Sequence, residues 1–268
     1  MIYDLQKASM WKRISAFLCD IILFAILAVG IAFVLSTVLG VDAQEQKMTS
    51  ICSQYAEEYQ LGEFMTKEEL EGSLSIALSE ERYNTLTEEQ KATFHKAVDA
   101  LYTDKDYLYA YGMVNQLILL VLTFSILIAQ LLLEFVVPLL LKNGQTVGKK
   151  VFGVAVMRID GVKVSPVILL IRAILGKYAV ETMIPVFVLV SLMLGTANIV
   201  TIVLLLLLVL AQIILLIFTQ ARTPLHDMLA GTVTVDLASQ LIFDTPEELL
   251  EYKKKLHADT VAEKETNS

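Results

Sequence analysis

Cysteine is nearly absent, and the two present, Cys19 and Cys52, exclude a disulfide framework. Cys19 lies in an apolar run and Cys52 in an acidic stretch, so the two belong to different environments. Histidine, with three residues, is almost as scarce, and no Cys/His cluster has zinc-ligand spacing, so no metal site is expected. Basic residues are outnumbered 21 to 29 by acids, and nothing in the chain suggests nucleic-acid recognition. The shortage of positive charge is local. Residues 42–112 hold 15 acids and 6 bases, a net of −9 against −8 for the whole chain, so everything else sums to +1.

What the sequence has in abundance is apolar surface. Hydrophobic residues make up 56% of the chain and the mean hydropathy is +0.63, which is too apolar for a soluble domain of 268 residues. Membrane-spanning helices account for it. Ile14 to Leu39 carries Asp20 as its only charge and is long enough to cross a bilayer with some tilt, which makes it the first span. Its length and its internal acid argue against a cleaved signal peptide. Met113 to Leu141 is the second span, interrupted by Gln116, Gln130, Glu134 and Pro138. The apolar stretch 179–219 is about twice a span, and Gly195-Thr196-Ala197-Asn198 divides it into a third and a fourth joined by a tight turn.

Between the first two spans, residues 42–112 are expected to form an acidic helical insert. Thr66-Lys67-Glu68-Glu69 and Thr87-Glu88-Glu89-Gln90 each fit a capping box, and Met65 with Leu70 has the spacing of a hydrophobic staple. The helix opened at Glu88 could run on to the membrane as one long element. From Lys142 to Glu181 seven bases stand against Asp160 and Glu181, so the positive-inside rule places this stretch in the cytoplasm. Lys7, Lys12 and Arg13 put the N-terminus there too, and Lys253-Lys254-Lys255 does the same for the C-terminus. The insert is then extracytoplasmic. Within the basic loop, 142–178, Val151 to Ile159 followed by Asp160-Gly161 and Val162-Lys163-Val164 predicts a short β-hairpin. Val167 to Tyr178, with Arg172 and Lys177, predicts a helix lying at the membrane interface. In the C-terminal segment, 220–268, a short helix is expected over Pro246 to His257, with a disordered tail beyond Ala258. The fold class is an all-α integral membrane protein with four transmembrane helices, an acidic extracytoplasmic insert and a small cytoplasmic hairpin.

Asp20 is the residue that needs explaining. An aspartate near the middle of an inserting helix costs about 2.5–3.5 kcal/mol, so it is expected to face protein or water and to have a partner. Arg13 lies seven residues earlier on nearly the same face. Glu134 precedes the end of the second span by the same interval, which sets the two carboxylates at comparable depth. Pro138 cannot donate to the carbonyl of Glu134, so Asp20, Glu134 and that carbonyl could form a hard-oxygen site for a proton or small cation. The alternative is that Asp20 pairs with a base such as Arg172 or Arg222 and fixes helix packing. Gly144-Gln145-Thr146-Val147-Gly148-Lys149-Lys150 departs from a phosphate-binding loop in spacing and lacks the following Ser/Thr. His226 and Asp227 are adjacent, but no nucleophile accompanies them, so neither an enzyme nor a cofactor is expected.

Three stretches read together: Arg13-x-x-Ala-x-x-x-Asp20; Gly144 to Lys150 followed by Val156-Met-Arg-Ile-Asp-Gly161; and Arg222-Thr-Pro-Leu-His-Asp-Met-Leu-Ala-Gly-Thr232. In order, spacing and membrane context they resemble the RDD family of bacterial integral membrane proteins, over residues 7–41 and 113–236. The resemblance maps the naming arginine and aspartates to Arg13, Asp20 and Asp227. It implies a multi-pass plasma-membrane protein and, for some members, cation/proton antiport. The expected function is proton- or Na⁺-coupled transport of an unidentified ligand around Asp20, with Arg172, Arg222 and His226 as charge partners and a homo-oligomer enclosing the pathway. The competing expectation is a non-catalytic membrane scaffold or envelope-stress component whose insert binds a partner.

Overall fold

The computed structural model describes residues 5–70, 74–218 and 223–266, with side chains through residue 258. Four helices among them are long and apolar enough to cross a membrane: Met10–Leu39, Lys105–Leu141, Pro166–Met193 and Ile199–Phe218. They divide, with the segments between them, into two compact units, one over Val29–Ser125 and the other formed by the chain before and after it.

The Val29–Ser125 unit owes its beginning to Gly40, whose φ of 69° ends the first long helix before Val41–Glu58 starts. Its core is apolar and continuous. Met48, Cys52, Phe94, Ala97, Leu101 and Tyr107 are among the buried residues of one cluster. Both expected capping boxes form. Thr87 N donates to Gln90 Oε1 at 2.9 Å while Gln90 N donates to Thr87 Oγ1 at 3.3 Å, and Thr66 and Glu69 exchange the equivalent pair at 2.7 and 3.3 Å. The helix Glu88–Thr103 does not run on into the second span. Asp104 breaks it in extended geometry and restarts the chain by accepting from Tyr107 N at 2.8 Å, while Tyr55 Oη donates to its other oxygen at 2.9 Å.

The second unit contains the only strands among the described residues. β1 (Val154–Arg158) pairs antiparallel with β2 (Thr232–Asp236), Val156 opposite Thr234. Alternation then sorts the faces: Ala155, Met157, Val233 and Val235 form a small apolar core, and Thr232 and Thr234 point the other way. The hairpin expected over 151–164 is reduced to its turn. Gly161, at φ 96°, reverses the chain, but only one bridge, Met157 to Lys163, follows. β2 offers five paired residues and a shared apolar face, so the ladder forms there.

The expected interfacial helix is likewise absent as a separate element, because Pro166–Met193 is continuous through Tyr178. Arg172–Met183 within it is π-helical, as is Leu132–Val136 in the second long helix. In the latter, Val137 N reaches back to Leu132 O, immediately before Pro138, which has no N–H to give. The turn between the third and fourth long helices falls where expected, with Gly195 at φ 65° and Asn198 Oδ1 accepting from Thr201 N at 3.1 Å. Pro246–Thr266 is one helix, which corrects both the end expected at His257 and the disordered tail expected beyond Ala258.

Candidate functional site

A pair of π-helical segments carries most of the site. Glu134 lies in the first, and Arg172, Lys177 and Glu181 lie in the second, the kind of local widening that recurs at functional positions. Arg172 is fully buried. Its Nη1 donates to Glu134 Oε2 at 2.8 Å, its Nε to Asp227 Oδ1 at 2.7 Å and its Nη2 to His226 Nε2 at 2.9 Å. Glu134 also meets Lys177 Nζ at 2.9 Å and Lys149 Nζ at 4.0 Å.

The tautomer of His226 follows from its neighbours. Arg172 can only donate, so Nε2 accepts and the proton sits on Nδ1, which points at both carboxylate oxygens of Glu181 at 2.8 Å. Burial, with the Arg172 charge, pushes the imidazole pKa down against the pull of Asp227, so the ring is neutral. Glu181 also accepts from His226 N at 3.0 Å and from Gln212 Nε2, on the fourth long helix, at 2.6 Å. The short helix Leu225–Leu229 is seated closely here. A Cβ on Gly176 would stand 2.5 Å from that of His226, which only glycine avoids.

Asp227 is held by Arg172 and by two hydroxyls of β2, Thr232 Oγ1 at 3.0 Å and Thr234 Oγ1 at 2.8 Å. Although burial opposes it, the Arg172 guanidinium keeps this carboxyl far below the usual carboxylate range. Arg13 Nη2 donates to Thr234 O at 2.5 Å, so one threonine links Arg13 and Asp227. Lys12 Nζ meets Asp236 Oδ2 at 2.5 Å and fastens the start of the first helix to the same strand.

Asp20 is separate from this ion network. It accepts from Thr146 Oγ1 at 2.5 Å and Gly148 N at 2.8 Å, and among the described residues it forms no ion pair. Gly148 permits the approach, since a Cβ there would lie 2.3 Å from Ala16 O and 2.9 Å from Asp20 Oδ1. The expected sharing of a proton or cation between Asp20 and Glu134 is therefore corrected. Three bases surround Glu134, and Asp20 takes neutral donors from the loop. The proposed Asp20–Arg172 pair is absent for the same reason, because Arg172 is spent on Glu134, Asp227 and His226. Arg222 lies outside the described residues.

Asp20, Glu134, Asp227, Arg13 and His226 nevertheless line one cavity of about 650 Å³. With them stand Lys149, Lys177, Glu181, Gln130 and Gln212, most of which carry no site signal in the sequence. Lys177 and Glu181 could have been flagged as charges four apart in an apolar helix. Lys149 carries no comparable signal, since it stands in a run of surface-like bases. A model of the RDD family matches residues 7–231, a span that takes in this whole constellation and the acidic insert. The chain belongs to the RDD family. No curated protein and no solved structure matches it. As an RDD protein it is a multi-pass membrane protein, and the three residues that the resemblance singled out, Arg13, Asp20 and Asp227, all face the same cavity.

Proposed function

We propose that this RDD protein is a proton- or Na⁺-coupled transporter of the bacterial plasma membrane, with Asp20 as the coupling carboxylate. The observation that carries the reading is the contrast among the acids of the cavity. Glu134 and Asp227 are compensated by buried bases, and Glu181 by His226 and Gln212. Among the described residues Asp20 accepts hydrogen bonds from a hydroxyl and a backbone N–H and forms no ion pair. A carboxylate held by neutral donors beside a cavity can exchange a proton for a small cation without breaking an ion pair.

The orientation that fits is inside for both termini. The loop between the second and third long helices carries Lys142, Lys149, Lys150, Arg158 and Lys163 against Asp160 alone, and four crossings return the chain to that side. The acidic insert is then extracytoplasmic and the β1–β2 pair cytoplasmic. A homo-oligomer would help four spans enclose a path. Among the described residues no convergent nucleophile, base and oxyanion donor argue for an enzyme.

The test is proton movement in liposomes on adding Na⁺ or K⁺, for wild type and Asp20→Asn. Cation-dependent flux in the wild type and none in the folded variant is the expected result. Absence of flux in folded, correctly oriented wild-type protein overturns the reading. The second reading, a scaffold, is favoured by one feature: the insert has a core of its own. Under it, deletion of 45–110 removes function while Asp20→Asn does not.

A further inference from the structure

Both oxygens of every acid lining the cavity accept from donors of the chain itself, whereas among the described residues two of its bases keep donors to spare, Arg13 at Nε and Lys149 at Nζ. Lys149 is 9% exposed and lines the cavity. Among the described residues its ammonium makes no side-chain hydrogen bond, and its single ion-pair contact is Glu134 Oε2 at 4.0 Å. Asp20 from the first helix, Glu134 from the second, Arg172 and Lys177 from the third, and Asp227 from the short helix Leu225–Leu229 are the charges that face it. A buried ammonium with idle donors is expensive to keep, which suits a group waiting for a ligand oxygen. Much of the remaining wall is apolar: Phe17, Ile21, Phe24, Leu133, Val186 and Leu216. Phe17 and Ile21 are exposed on a helix apolar enough to span a membrane, so the wall continues onto surface that hydrocarbon would cover.

We propose that this cavity binds a single-chain amphiphile with one carboxylate, of the fatty-acid class, its headgroup on Lys149 Nζ and its chain along Phe17, Ile21 and Leu133. One unspent ammonium matches one negative charge. A phosphate monoester would bring roughly −1.5 to −2 and leave the excess beside Glu134 and Asp20. A volume of about 650 Å³ falls within the roughly 300–1,000 Å³ of small-ligand sites, which suits one chain and not a two-chain phospholipid. Burial first, with the Arg172 charge, brings Lys149 down to about 8 against the pull of Glu134. A bound carboxylate favours the ammonium, so affinity falls by on the order of tenfold per pH unit above that value.

The assignment names a ligand class for the proposed transporter, and it rests on that reading only for the steps after binding. The experiment therefore uses no gradient. The full chain in nanodiscs of zwitterionic lipid is labelled with a photoreactive diazirine fatty acid. Expected is saturable labelling of the segments around Phe17 to Phe24 and Val186. Dodecanoate competes, its methyl ester does not, labelling weakens about tenfold from pH 8.5 to 9.5, and Lys149→Met abolishes it while Lys149→Arg keeps it. Equal competition by the methyl ester or by phosphatidylglycerol, or full labelling of Lys149→Met, overturns the proposal. If Lys149→Met does not fold, Leu133→Trp, which fills the wall, must block labelling, and a flat pH response of the wild type overturns it. Labelling without ion flux leaves the site and removes the transporter; flux without labelling does the reverse.

Discussion

Arg172 and Lys149 are both buried bases on the same carboxylate, yet only truncation of Arg172 should lower stability. Arg172 donates three hydrogen bonds, to Glu134, Asp227 and His226, so Arg172→Leu leaves the buried Asp227 without its guanidinium and should cost about 3–5 kcal/mol. Lys149 contributes one contact at 4.0 Å, and Glu134 keeps Arg172 and Lys177 without it. Lys149→Met should leave the thermal midpoint at pH 7.5 unchanged or raise it. The pH dependence follows from the lowered folded value, about 8 against an ordinary 10.5. Between those values the unfolded chain holds the proton that the folded chain has released, so wild-type stability climbs with pH across that window. Lys149→Met should lose that climb. Thermal unfolding in detergent at pH 7.5 to 10.5 checks it, and a loss in Lys149→Met as large as in Arg172→Leu would sink the account. At this scale the apolar run around Asp20 marks that residue, and the family resemblance adds Arg13 and Asp227. Neither shows which base each acid meets, because that depends on a strand and two π turns that no local pattern marks.

Elements were legible wherever their signals are local. Both capping boxes, the Gly195–Asn198 turn and the end of the first long helix rest on a few adjacent residues, and all formed. The β1–β2 pairing joins Val156 to Thr234 across most of the second half of the chain, and a local Asp-Gly turn hid it. Arg172 and Lys177 give Val167 to Tyr178 the pattern of an interfacial helix, which cuts the third long helix short. In the fold Arg172 is buried and Lys177 half-buried, both are paired with Glu134, and the helix is unbroken. Asp104 is the element-level device most open to test, since it ends one helix and starts the next. The Tyr107 N–H, then the Tyr55 hydroxyl, hold its carboxyl below the ordinary range. Asp104→Ala should therefore destabilise the insert by about 0.5–2 kcal/mol near neutral pH. Faster amide exchange over 88–103 with no change over 154–158 is the expected readout, and unchanged exchange in both segments would refute the capping role.

Across the whole molecule, charge and chemistry are divided between the units. The insert holds the net −9 of residues 42–112, while the buried ion network belongs to the chain on either side of Val29–Ser125. Each unit has its own apolar cluster, one around Met48, Phe94 and Leu101 and one around Met157, Val233 and Val235. Separate cores predict separate cooperative openings, because a residue's protection is lost with the cluster that contains it. Phe94→Ala removes a buried ring from the first and should cost that unit about 3–5 kcal/mol. Its amide exchange should accelerate over 41–58 and 88–103, leaving 154–158 and 232–236 as in the wild type. Arg172→Leu should do the opposite, loosening the strands and the short helix Leu225–Leu229 while the insert stays protected. If either variant accelerates exchange in both units together, the molecule opens as one body, and an effect of the insert on transport can no longer be assigned to a bound partner. If the two stay independent, loss of the insert tests partner binding cleanly, and Asp20→Asn tests the membrane site.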